Sequence, residues 1–271
     1  KRATPFAIAI GIWFLPIPAG LTPQAWHLFA IFVATIACVL INAFPLLTAS
    51  LIAVAVVVLT QTITPAQAFS GFANASVLLV VAAFIAAQGV VKSGLGRRIS
   101  LIIVSRFGGS PIGLAYSLVF TDAMIAPAFP SNTARGGVLF PIVLSIAKGA
   151  GSEPDSPEGR RLGGYLMFCS MAGLAVSSAL WLTATSCNPI GVQIAEKSGF
   201  EINFASWFVH SSVPTLSAIL VLPWLVSKLF SPGVKETPEA PIAARKDLSE
   251  MGDMSRNEWI TAATFVGMVI G

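Results

Sequence analysis

Charge is what this sequence of 271 residues has least of: Asp, Glu, Lys and Arg make up 10% of it, against about 25% in soluble domains. Between Arg2 and Lys92 there is no Asp, Glu, Lys or Arg, and only His27 interrupts the apolar and neutral run. Water cannot keep such a stretch dissolved, so a soluble globular domain is excluded. Cysteine is scarce too. The three present, Cys38, Cys169 and Cys187, are odd in number and show neither CxxC nor zinc-ligand spacing, which excludes a disulfide framework or a zinc site and leaves packing roles. HExxH and GxSxG are absent, and Asp122 is the only acid between Arg2 and Glu153, so no carboxylate pair supports an intramembrane enzyme. Gly94-Leu95-Gly96 lacks the third glycine and the preceding strand of a dinucleotide site. The formal charge of +4 is small, and the basic residues are scattered rather than striped with aromatics, which argues against nucleic acid as a partner. No cofactor is expected.

What is there is hydrophobic: 55% of residues, with a mean hydropathy of +0.81. The expected fold class is an all-α polytopic membrane protein, its partners membrane lipid and small solutes. Apolar segments lie near 4–19, 25–43, 45–60 and 74–91, separated by stretches rich in Pro, Gly, Asn and Thr. The run continues too far for a cleaved signal peptide. The chain opens without an initiator Met and stops at Gly271 within an apolar run, so a fragment is expected. After Arg97-Arg98, the stretch Ile99 to Val104 is too short to span and is expected at the interface.

Lys and Arg set the expected topology, because short basic loops stay in the cytoplasm. With Lys1-Arg2 inside, four crossings return the chain inside at Lys92, Arg97, Arg98 and Arg106. Lys148, Arg160 and Arg161 then also read as cytoplasmic, although two apolar segments separate them from Arg106. At a rise of ~1.5 Å per residue, Pro111 to Pro127 reaches roughly 25 Å and Gly136 to Ala147 roughly 18 Å, short of the ~30 Å hydrocarbon core. Two half-spans entering and leaving on one side form a re-entrant hairpin. A broken helix over 162–198 then leads out, Phe204 to Phe230 returns, and the polar linker 231–257 is cytoplasmic. Of the sixteen basic residues, only Lys197, outside, and Arg135, in the hairpin, fall elsewhere. The expected localisation is the bacterial inner membrane, multi-pass, with a cytoplasmic N-terminus.

The hairpin turn is "PSNTARGG". Non-helical backbone at membrane depth is tolerated only where protein buries it or it lines an aqueous cavity. Pro127 and Pro130 end the first half-helix, and Ser131 or Asn132 can cap the second, whose N-terminal amides and dipole attract anions. A second break, Thr183 to Gly191, places Thr183, Thr185, Ser186 and Asn188 before Pro189. Paired discontinuous helices mark a transporter's midplane site. Ordinary capping by Ser131 or Asn132, and an ordinary kink at Asn188-Pro189, remain the bland alternatives. Arg135 is costly in a membrane unless paired or hydrated; it has two candidate partners, Asp122 in the facing half-helix and a bound substrate. His27 and His210 are lone and read as interfacial or packing residues.

"PSNTARGG", "SGFANASVLLVVAAFIAAQGVVKSGLGRRI", the break "LTATSCNPIG" and the linker "ETPEAPIAARKDLSEMGDMSRNEW" together resemble the divalent anion/sodium symporter superfamily. The chain is most similar to its exchanger branch, the bacterial citrate/succinate and tartrate/succinate antiporters and the plastid 2-oxoglutarate/malate translocator. The resemblance covers nearly the whole chain. It implies an inverted-repeat, elevator-type transporter and homodimer, a scaffold and a moving transport domain, and one Ser-Asn-Thr tip from each repeat at a shared carboxylate site. Ser131, Asn132 and Thr133, with Arg135, would form the first tip, and Thr183, Thr185, Ser186, Asn188 and Pro189 would line the site from the broken helix. Only one such tip is present, so the first repeat plus the start of the second is expected. The resulting division is 1–107 scaffold helices and interfacial segment, 108–230 transport region with hairpin 111–148, 231–257 linker, and 258–271 the next repeat's first residues. Sodium-coupled members carry a Gly- and Pro-rich break where this chain has "TATSCNPIGV", which favours exchange of di- or tricarboxylates. The alternative is a sodium-coupled dicarboxylate symporter, with sodium as a second substrate.

Overall fold

A computed structural model describes residues 3–149, 152 and 159–270. The charged loop expected between Lys148 and Arg161, including Asp155, lies largely outside them. Every regular element among the described residues is helical, and the chain divides into two compact units, Lys1–Val77 and Leu78–Gly271.

The first unit holds α1 (Thr4–Trp13), α2 (Pro23–Leu40), α3 (Leu46–Leu59) and the short α4 (Pro65–Phe69) with a 3-10 turn at Ser70–Ala73. Prolines start three of these helices, where the missing N–H costs nothing. Thr22 caps α2 by accepting from the Ala25 amide at 3.2 Å, and Thr64 with Gln67 forms a capping box on α4. Pairing of α1 with α2 is fixed by Trp26 Nε1 donating to the Ile12 carbonyl at 3.0 Å, and by His27 stacked on Trp13 at 3.8 Å. His27 is thus a packing residue. Apolar side chains nevertheless point outward, with Leu40 79% and Leu59 81% exposed, as helices surrounded by lipid would have them. α1 and α3 are shorter than the expected crossings because Pro16 and Pro18 follow the end of α1 and Pro45 sits at the start of α3.

In the second unit, α5 (Ala75–Ser93) ends at Gly94, whose φ of 81° is a left-handed conformation that glycine adopts without strain. The turn feeds α6 (Leu95–Phe107), which buries Arg98, Leu101 and Val104. α7 (Pro111–Ile125), capped by Ser110, runs into a 3-10 turn at Ala126–Ala128, and α8 (Asn132–Gly149) follows. Then come α9 (Gly159–Ser177), a 3-10 turn at Leu182–Ala184, α10 (Cys187–Glu196), α11 (Phe204–Leu229), α12 (Glu239–Met251) and α13 (Arg256–Ile270). Among the described residues, three helices are long and apolar enough to cross a membrane: Pro23–Leu40, Pro111–Ala128 and Phe204–Leu229. The second is expected from the sequence to be a half-span, and its length does not support that, because the 3-10 turn carries the helix on to Ala128.

Packing fixes the hairpin's direction. One core cluster joins Leu114 and Leu118 from the start of α7, Val143 and Ala147 from the end of α8, Leu162, Leu166 and Cys169 from the first half of α9, and Val226 near the end of α11. A second cluster joins Ile125, Ala128 and Phe129 with Leu139 around the turn. α7 and α8 therefore run antiparallel, with their outer ends at one pole and the turn at the other. α9 packs against both. Gly173 lets it approach α7 closely, since a Cβ there would meet Val119 Cγ2 at 2.8 Å. Pro214 and Pro223 lie inside α11, and the chain's two tyrosines bond its backbone around the second, Tyr165 Oη donating to the Pro223 carbonyl at 3.0 Å and Tyr116 Oη to that of Leu220.

The polar segment after α11 is anchored rather than loose. Thr237 Oγ1 donates to the Gly108 carbonyl at 2.8 Å, and Ala240 and Ala244 of α12 join Leu101 and Val104 of α6 in the core. Arg97 pairs with Asp247 at 2.9 Å. Arg98 holds Glu258 through Nε at 2.6 Å and donates to the carbonyls of Gly252 and Asp253, tying α6 to the first turn of α13.

Candidate functional site

The hairpin turn and the later helix break meet main chain to main chain. Thr183 Oγ1 donates to the Pro127 carbonyl at 2.7 Å, and the Ser186 amide donates to the Pro130 carbonyl at 3.1 Å. Helical pairing stops at this turn, so the carbonyls of Pro127 and Pro130 lack an intrahelical partner and accept across the break.

The break after α9 satisfies its own backbone. Asn188 Nδ2 donates to the carbonyls of Ser178 and Trp181 at 2.8 and 3.0 Å, Trp207 Nε1 to that of Ala179 at 3.0 Å, and Ser211 Oγ to that of Leu180 at 2.9 Å. Trp181 Nε1 in turn donates to the Ala123 carbonyl of α7 at 2.9 Å. Side chains thus stand in for the water that hydrocarbon cannot supply. His210, which accompanies these groups on α11, bonds the Ser206 carbonyl through Nδ1 and takes a local packing role.

Ser131 caps α8, accepting from the Ala134 amide at 3.3 Å, so the helix begins at Asn132 rather than at Gly136. Asn132 and Thr133 are exposed in its first turn, beside main-chain amides that have no intrahelical partner.

Arg135, by contrast, is 0% exposed. Of its two candidate partners the structure supplies Asp122, with Nη1 donating to Oδ2 at 3.1 Å; Nη1 also reaches Ser177 Oγ at 2.9 Å. Ser177 Oγ itself donates to Asp122 Oδ2. Nη2 reaches Asn132 Oδ1 at 2.7 Å, the Leu174 carbonyl at 3.1 Å, and Ser178 Oγ. The Leu174 carbonyl lies in the last turn of α9, where it also accepts from the Ser178 amide at 3.3 Å, so the guanidinium places positive charge at the negative end of that helix while its own charge is matched by Asp122.

Among the residues nominated from sequence, the structure therefore gathers Ser131, Asn132, Thr133, Thr183, Thr185 and Ser186 where the two breaks touch. Thr183 is buried with its hydroxyl occupied, Asn188 is committed to carbonyls through its amide nitrogen, and Pro189 is buried. Cys187, read as a packing residue, is exposed at the start of α10. Sequence reasoning did not nominate Ser177 and Ser178. Their signal was a polar pair at the end of the otherwise apolar "GLAVSSALW". A cavity of about 510 Å³ elsewhere, lined by Val90, Leu101, Phe129, Ile142 and Ala244, has Arg97 and Asp247 at its lip already paired with each other and offers no convergent polar groups.

The sequence matches the family described as "sodium:sulfate symporter transmembrane region" over residues 1–271. The chain belongs to this family. Within the sodium:sulfate symporter family it is 40% identical over 266 residues to a Bacillus subtilis (strain 168) protein provisionally named a malate transporter, covering 97% of this chain and 56% of the relative. It is 40% identical over 262 residues to dicarboxylate transporter 1, chloroplastic, of Arabidopsis thaliana, covering 95% of this chain and 47% of that protein. Identity to the citrate/succinate antiporter of Escherichia coli (strain K12) is 35% over 284 residues, 97% of this chain and 58% of the antiporter. The chain spans about half the length of the curated relatives it matches.

Proposed function

We propose that this chain is the first-repeat part of a secondary carrier for small di- or tricarboxylates, of the succinate, malate, 2-oxoglutarate, citrate or tartrate class, working by exchange. The observation that carries the reading is the junction of the two helix breaks, where the Asn132 carboxamide, the Thr133 hydroxyl and the main-chain amides of Asn132 and Thr133 form a cluster of donors. Donors aimed outward from a helix N-terminus suit a carboxylate. Thr185 and Ser186 complete this half of the site from the broken helix. The relatives named as dicarboxylate transporters and a citrate/succinate antiporter support the substrate class.

In this reading 1–107 is scaffold, 108–230 moves as an elevator with hairpin 111–148 and broken helix 162–198, 231–257 is cytoplasmic, and 258–271 begins an inverted second repeat. The protein is a homodimer in a bacterial inner membrane with its N-terminus in the cytoplasm.

The match of Arg135 by Asp122 favours a second reading. Had the guanidinium faced the substrate, it would have stood in for a coupling cation. Neutralised, it leaves only the helix dipole, about half a charge, against a dianion, and sodium as a co-substrate supplies the rest in a symporter. Counterflow of labelled succinate in proteoliposomes of the full-length protein separates the two. Exchange predicts uptake that needs internal dicarboxylate and is unchanged when choline replaces sodium; uptake into empty vesicles that rises steeply with external sodium identifies the symporter. No carboxylate flux under either condition refutes carriage.

A further inference from the structure

We infer that Arg135 and Ser178 act as positioning residues that fix the Asn132 carboxamide with its nitrogen outward, so that this side chain offers a ligand a donor and not an acceptor. The inference deepens the carboxylate reading above and rests on it.

A side-chain amide has a donor end and an acceptor end, and an unconstrained asparagine turns either one toward a ligand. Asn132 is constrained. Its Oδ1 lies 2.7 Å from Arg135 Nη2, which decides the orientation, and 2.6 Å from Ser178 Oγ, whose one proton also has the Leu174 carbonyl within reach at 2.5 Å. A guanidinium has only donors, so the amide atom facing it must be the oxygen; a flipped amide would set donor against donor. Arg135 is held against swinging away, because Asp122 and Ser177 engage Nη1, the Leu174 carbonyl engages Nη2, and the side chain is wholly buried. Nδ2 makes no hydrogen bond among the described residues and belongs to an exposed side chain. The first-turn amides beside it are donors as well.

The ligand atom that meets the Asn132 carboxamide must therefore be an acceptor. An ionised carboxylate qualifies. A carboxamide or a protonated acid brings an N–H or O–H against donors and loses a hydrogen bond while leaving the tip's own donor unmet. Arg135 thus acts on specificity without touching substrate, which also gives its charge a purpose once Asp122 has cancelled it.

The test compares succinate with its half-amide, succinamate, as competitors of labelled succinate exchange by the full-length protein in proteoliposomes. Charge alone disfavours succinamate in every variant, so the informative quantity is how the succinate-over-succinamate preference changes. Arg135→Lys keeps a cation beside Asp122 but not the planar fork, and Ser178→Ala is a milder change that retains the ion pair. We expect both to lower the preference about ten-fold or more, the factor one hydrogen bond to a charged group carries, mainly by raising the KM for succinate rather than lowering turnover per folded protein. Ser178→Thr, which keeps the hydroxyl, should restore it. If both ligands weaken in parallel and the preference is unchanged in Ser178→Ala, the positioning role is overturned while carriage stands. If the unaltered protein exchanges no succinate, the carboxylate reading fails and takes this inference with it.

Discussion

Ser186 donates its main-chain N–H to the carbonyl of Pro130 at 3.1 Å, which joins two helix breaks more than fifty residues apart in sequence into one structural feature. Neither break could be stable at membrane depth alone, because each carries backbone groups that lipid leaves unpaired.

The neighbouring bond from Thr183 Oγ1 to the Pro127 carbonyl serves the same junction. Thr183→Val keeps the shape and removes the donor, leaving a buried carbonyl short of a partner at a cost of about 1–3 kcal/mol. The expected outcome is a lower thermal midpoint of the detergent-solubilised protein together with slower exchange, both read against the unaltered chain.

The buried pair makes a sharper contrast. Arg135→Gln or Asp122→Asn alone leaves an uncompensated charge in the interior and should cost about 3–5 kcal/mol, seen as a collapse in folded yield by size-exclusion chromatography. The double variant Asp122→Asn, Arg135→Gln should recover much of that yield while exchange stays impaired, because Asn132 is no longer held. Full yield with selective loss of transport in Arg135→Gln alone would point instead to direct contact with substrate.

Close packing of α7 on α9 gives an independent check. Gly173→Ala drives a methyl into Val119, whose branched side chain cannot rotate out of the way, and should destabilise the protein by about 1–3 kcal/mol. Val119→Ala in the same protein should relieve most of that loss, measured as the shift in thermal midpoint.

How much of this was legible in the sequence can be judged residue by residue. The scarcity of charge gave the membrane, and Pro127 and Pro130 gave the first break, because proline acts locally whatever surrounds it. The second, expected over 183–191, lies instead between Ser177 and Cys187, since Pro189 sits in the first turn of α10, where its missing N–H costs nothing. The partner of Arg135 stayed open because local pattern cannot say which of two anions a cation meets; α9 had to pack between α7 and α8 before Ser177 and Ser178 could join it. The linker hid α12 for a similar reason. Its polar composition outweighs Ala240 and Ala244, small residues one turn apart whose burial is decided only by the face of α6 they meet.

Topology follows from the antiparallel hairpin. With the outer ends of α7 and α8 at one pole, residues 148–161 and 231–257 should face the same side of the membrane as Lys92. A single cysteine at position 155 or 235 in a cysteine-free full-length protein should resist membrane-impermeant maleimide applied from outside until the membrane is permeabilised. External labelling at 155 would mean that the outer ends of α7 and α8 lie on opposite sides of the membrane, against their antiparallel packing.

The central claim is that the Ser131-Asn132-Thr133 tip binds a carboxylate, and the apparent affinity of Asn132→Ala for succinate in proteoliposome exchange tests it most directly. Losing the fixed donor should weaken that affinity roughly 5- to 150-fold, with folded yield near normal because the side chain is exposed. Unchanged affinity with a lower folded yield would contradict the account and leave Asn132 as part of a structural cap.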